Sequence, residues 1–142
     1  MSALLKYEQP VAREIVDYGF AGDEIAFLNK LRLTAMRCRS SARLDMFEAC
    51  RLVMNVDGQN HDIVIEALLR TMYQGLNKTP VFLSPNSEEL SFDESWLLRC
   101  VCGNRDKDYG SVRFLIARRV AQPYQRSMAF LIEKVSECLT QV

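Results

Sequence analysis

The chain holds 142 residues, 49% hydrophobic and 25% charged, the balance of one folded domain rather than of a disordered segment. Its 18 basic and 18 acidic residues cancel, which argues against a uniformly cationic nucleic-acid binder. No apolar run reaches the roughly eighteen residues of a membrane span, the first residues lack the basic-then-apolar order of a secretory signal, and five cysteines are an odd number for a disulfide framework, so a reducing cytoplasm is the expected setting.

In chain order, Pro10–Tyr18 followed by Gly19 predicts a short helix, because proline suits a first helical position and glycine the residue past the end. Asp23 opens a longer helix whose Ile25, Leu28, Leu31, Ala35 and Cys38 recur at intervals of three and four residues, on one face. Ser40-Ser41 ends it and starts another, striped by Leu44, Phe47, Cys50 and Met54. Asn55–Asn60 is turn chemistry. Asn60 or Asp62 caps the next helix, which buries Ile65, Leu68, Leu69, Met72 and Leu76 and carries a Glu66–Arg70 pair in the favourable order.

From Asn77 to Leu90 the chain changes character. Pro80 and Pro85 force extended geometry on the residues before them, and the Val81-Phe82-Leu83 triplet between them is expected to tuck into the body. Ser91-Phe-Asp-Glu94 is a capping box that begins a helix carrying Phe92, Trp96, Leu97, Cys100 and Val101 and stopping near Gly103. Polar Asn104–Asp108 leads to a helix with Val112, Leu115, Ile116 and Val120. Pro123 begins the last, whose stripe is Met128, Leu131, Ile132, Val135 and Leu139. The expectation is an all-α single domain over 1–142, an antiparallel bundle of about six helices with one extended, proline-flanked connector.

Few residues point to chemistry. Cys100 and Cys102 are separated by about 200° on a helix, so they do not face one ion. Buried small hydrophobes are the expected role for the cysteines. His61 is the single histidine, heading a helix with no nucleophile in a suitable context, so an enzyme built around it is the least favoured reading. Glu88, Glu89, Asp93 and Glu94 flank the capping box, where acids stabilise a helix start. The six glycines are too scattered for a phosphate loop. The methionines on helices, Met36 and Met72 among them, and Trp96 with Phe92 are expected to fill the core.

Charge is segregated along the chain. Residues 30–43 hold Lys30, Arg32, Arg37, Arg39 and Arg43 without an acid, and residues 109–132 hold Arg113, Arg118, Arg119 and Arg126 without one. Residues 86–108 carry six acids against three bases. Such segments pair inside the fold, meet a partner, or touch nucleic acid. A helix-turn-helix at Ser40-Ser41 is disfavoured, because the following Arg43–Glu48 stretch places acids and bulky apolar groups where base-reading side chains belong. The reading carried forward is a small non-enzymatic, regulatory helical protein acting through protein–protein contacts, with a protein partner or itself as a homodimer. Arg32, Arg37, Arg39, Arg43, Arg118 and Arg119 are its candidate partner- or anion-binding residues. No cofactor, metal or membrane contact is expected, and a nucleic-acid-binding regulator using the same arginines is the alternative.

Overall fold

The computed structural model of the protein describes residues 13–14, 20, 22–40, 61–76 and 78–140. Among these it forms β1 (Arg13–Glu14), α1 (Gly22–Ser40), α2 (His61–Gly75), β2 (Glu89–Leu90), α3 (Phe92–Arg105), α4 (Tyr109–Arg119) and α5 (Gln122–Thr140). The described residues are mostly helical and the fold is all-α, with five helices where about six were expected. The helix expected around Leu44–Met54 and the turn after it lie outside the described residues.

The short helix expected over Pro10–Tyr18 is corrected at its centre. Arg13 and Glu14 pair antiparallel with Leu90 and Glu89 of the connector. A proline and a glycine in the right places promised a helix. The connector's backbone at Glu89–Leu90 offered a competing set of hydrogen bonds.

The apolar stripes form the core. α1 buries Phe27, Leu28, Leu31 and Ala35, and α2 buries Ile65, Leu68, Leu69 and Met72. α5 packs against all four other helices and buries Met128, Leu131, Ile132, Val135 and Leu139. Each large side chain so removed from water contributes about 1.5–3 kcal/mol to stability. The Glu66–Arg70 pair forms at 3.2 Å.

Two close approaches set how α5 enters the core. The amide of Ala121, in the turn before α5, donates to the carbonyl of Gly75 at 2.9 Å. A Cβ on Gly75 would stand 3.1 Å from Val120 Cγ1 and 3.3 Å from Tyr124 Cβ. The small residue therefore lets the α4–α5 turn sit down on the end of α2.

The connector is the irregular part. Ser87 N donates to Ser84 O at 3.1 Å around Pro85-Asn86, and Asn86 has φ 68°. Proline followed by a positive-φ asparagine is type II turn chemistry. Phe82 is buried and Leu83 half-buried as expected for a tucked triplet, but Val81 points to solvent.

Candidate functional site

The capping box at the start of α3 is present. Ser91 Oγ accepts from Glu94 N at 3.1 Å, and Glu94 Oε1 accepts from Ser91 N at 3.0 Å. In an ordinary capping box the glutamate then faces water. Here it is fully buried, because Arg32 of α1 comes down on it. Arg32 Nε donates to Glu94 Oε2 at 2.8 Å and Nη2 to Oε1 at 3.0 Å, a bidentate fork with both side chains fully out of solvent. The other Arg32 donors reach connector carbonyls, Ser87 O at 3.0 Å and Glu89 O at 2.7 Å. Leu83 N gives Glu94 Oε2 another bond at 2.9 Å. One ion pair thus ties α1, the connector and α3 together, and its charges are satisfied as burial demands.

Asp93, next in the same turn, is buried too. Its Oδ2 accepts from Val81 N at 2.8 Å, and its Oδ1 accepts from Arg119 Nη2 at 2.7 Å, with Lys78 Nζ at 3.7 Å. The Arg119 guanidinium lies over two rings, 4.9 Å from the centroid of Phe92 and 5.1 Å from that of Trp96. Its Nη1 is buried and has no hydrogen-bond partner. The ring faces supply the favourable potential that a missing acceptor would have given.

Outside this layer the surface is apolar and cationic. Phe92 is 56% exposed, Phe114 59% and Val81 53%. Arg118 reaches over the Phe114 ring at 5.5 Å. Direct contacts join Val81, Asp93, Arg119 and Phe92, and further round α4 Arg118 stacks on Phe114. Phe92 was expected in the core beside Trp96. Only Trp96 is there, its Nε1 donating to Leu115 O at 3.1 Å. Phe92 is the first residue of α3 and lies against the Arg119 guanidinium instead. Met36, also expected to fill the core, is exposed, whereas Met72 and Met128 are buried.

A second polar cluster joins the start of α1 to the end of α3. Glu24 Oε2 accepts from Arg105 Nη2 at 2.9 Å and from the Cys102 thiol at 3.1 Å. Burial pushes the Cys102 thiol up to about 12, reinforced by the hydrogen bond to the Glu24 carboxylate. Burial likewise raises Cys100 to about 12, against the opposing pull of Arg119. Both thiols are protonated near neutrality, a state of low nucleophilicity. Among the described residues no three metal-ligating side chains come together.

The structure divides the six candidate arginines. Arg32 has no exposed surface and is not available to a partner. Arg119 is mostly buried against Asp93. Arg37 is exposed, with Nη2 donating to Thr34 Oγ1 at 3.3 Å, and Arg118 is exposed. Arg43 and the side chain of Arg39 lie outside the described residues, as does the side chain of His61. The two basic segments each send one arginine to the adjacent acids Asp93 and Glu94, so for Arg32 and Arg119 the charge segregation is used inside the fold. Sequence reasoning treated those acids as helix-start stabilisers and missed both ion pairs. It also passed over Glu24 with Arg105, and the pair Arg113 and Arg126, which line a groove between α4 and α5. Compared with protein-family models, curated proteins and solved structures, the chain matches none.

Proposed function

We propose that this protein is a non-enzymatic interaction module that docks a partner protein through the face formed by the connector, the start of α3 and the end of α4. One observation carries the reading: Val81, Phe92 and Phe114 stand in solvent beside arginines stacked on aromatic rings. Large aromatic side chains and arginine are the residue types that dominate protein–protein hot spots. The rim they offer is cationic, through Arg118 and Lys78, so the matching surface is apolar at its centre and acidic around it. The support beneath is rigid, because Arg119 and Asp93 fix Phe92 and Val81 from below. A face held in its binding conformation loses little entropy on docking. A regulatory role follows from the same reading, since a bound partner's own activity is then what the protein changes.

Affinity capture followed by binding measurements with the purified partner tests this. Wild-type protein is expected to bind saturably, Phe92→Ala/Phe114→Ala to weaken binding at least tenfold, and Arg118→Ala to make it less salt-sensitive. Light scattering on the purified protein distinguishes self-association through the same face, which the double substitution would abolish. Retention of DNA or RNA at low salt that fades steeply with added salt would favour the nucleic-acid reading instead. A strict monomer that binds neither partner nor nucleic acid overturns the proposal.

A further inference from the structure

A groove of about 750 Å³ lies between α4 and α5, on a different side of α4 from Arg118 and Phe114. Its size is within the ordinary range for small-molecule sites. Helical spacing builds it. Tyr109, Val112, Arg113 and Ile116 line it from α4 at intervals of three and four, and Arg126, Phe130 and Glu133 line it from α5 in the same way. Val112 and Ile116 are buried and give it an apolar floor, with Phe130 half-buried beside them.

Arg113 and Arg126 both line this groove, are both exposed, and have neither an ion pair nor a hydrogen bond among the described residues. Arg32, Arg70, Arg105 and Arg119 by contrast all meet carboxylates. Two unpaired guanidiniums bordering one apolar floor are the complement of an anion carried on an apolar body.

We propose that this groove binds a small monocarboxylate with a medium-length apolar body. The planar guanidinium fork matches a carboxylate in two parallel hydrogen bonds. The apolar body lies over Val112, Ile116 and Phe130. Glu133 selects for a single negative charge: it lies seven residues beyond Arg126, about 10 Å along the helix axis, and repels a second anion at that end. Polar residues complete the lining toward either end. At one end stands the α4–α5 turn with Gln122 and with Gln125, whose Nε2 donates to Val120 O at 2.9 Å. At the other stands Asn104, its Oδ1 accepting from Ser136 Oγ at 3.1 Å. The space these residues border, about 750 Å³, is on the scale of a small molecule.

Calorimetric titration of the full chain with four probes tests the assignment: octanoate, octylamine, octanol and inorganic phosphate. Octanoate is expected to bind saturably and at least tenfold more tightly than the other three. Arg113→Gln/Arg126→Gln is expected to lower octanoate affinity at least tenfold with an unchanged unfolding curve, since neither side chain supports the fold. Phe92→Ala/Phe114→Ala, away from the groove, should leave octanoate binding unchanged, which keeps this result separate from any failure of the docking face. Equal binding of octylamine, binding of phosphate as tight as that of octanoate, or an arginine double variant that binds octanoate normally each overturns the proposal. So does an acidic peptide that binds in the groove while octanoate does not.

Discussion

The two ends of α3 solve the same problem in opposite ways. Each must satisfy orphan backbone groups and join the helix to α1. At the N-terminal end the protein uses side chains and buries them: Ser91, Asp93 and Glu94 cap the helix and also receive Val81, Leu83, Arg32 and Arg119. At the C-terminal end it uses backbone. Lys107 N donates to Asn104 O at 3.0 Å and Asp108 N to Gly103 O at 2.8 Å, the paired bonds of a Schellman motif, with Lys107 at φ 64° where glycine is usual. The link to α1 at this end, Glu24 with Arg105, is shielded on one side only, Glu24 keeping 9% of its side-chain exposure but Arg105 27%. A dry junction depends on every partner, whereas a wet one tolerates loss, because water replaces what is removed.

Breaking the dry end gives the largest expected effect. Arg32→Met leaves the Glu94 carboxylate buried without its cation and strips donors from Ser87 O and Glu89 O. A loss of about 3–5 kcal/mol is expected, read from urea unfolding. Arg105→Ala, the matching cut at the more open end, should cost less, about 1–2 kcal/mol, because Arg105 is itself partly solvated although the Glu24 it leaves behind is buried. Adding Glu94→Gln to Arg32→Met should recover part of the loss, since the stranded charge goes with it. Equal costs for the two arginines would show that the ends do not differ as described.

Ser91→Ala sharpens the same contrast at smaller amplitude. It removes the acceptor for Glu94 N and the 2.6 Å donor to Val81 O together. About 1–2 kcal/mol is expected, the upper range for a lost cap, with the extra share coming from the loosened connector. Faster hydrogen exchange at Val81 and Leu83 would locate that share.

The unequal legibility of the sequence follows the same division. Apolar spacing announced α1, α2, α4 and α5, and the motif Ser91–Glu94 announced the start of α3, because both signals are local. Burial of Glu94 and Asp93 was invisible, since it depends on arginines 62 and 26 residues away. An arginine on an apolar stripe is the one trace the sequence did hold: Arg32 lies four residues beyond Leu28 and one beyond Leu31, on the inward side of α1. Arg113 lies beside Val112 in the same manner yet faces a groove. Spacing alone does not separate an arginine with a buried acid from one without. Of the proposed docking face, charge pointed to Arg118, and the exposure of Phe92 was missed because Phe92 fitted a core pattern.

At the wet end a stabilising change is expected. Lysine in the left-handed region is strained, and Lys107→Gly relieves that strain while adding freedom to the unfolded chain. The net expectation is a gain of roughly 0.5–1 kcal/mol, seen as a higher urea midpoint at unchanged slope. A comparable gain from any substitution at Ser91 would contradict the division of labour between the two ends.

The smallest effect concerns Cys102, the thiol held within the wet junction. Its proton is retained to about pH 12 in the folded chain, against 9.0 for a solvated thiol. The folded state therefore binds more protons than the unfolded state between those values. The stability this contributes is complete below pH 9 and is lost as pH rises toward 12. Unfolding midpoints from pH 8 to 11 should fall more steeply for wild type than for Cys102→Ser. The Glu24 carboxylate is a named cause of the shift, so Glu24→Gln should bring the thiol's value down and speed alkylation of Cys102 by iodoacetamide at pH 8, followed by peptide mass spectrometry. Wild-type Cys102 reacting at the rate of an unhindered thiol would mean that water already separates Glu24 from Cys102, and the thiol would then add nothing to the link between α3 and α1.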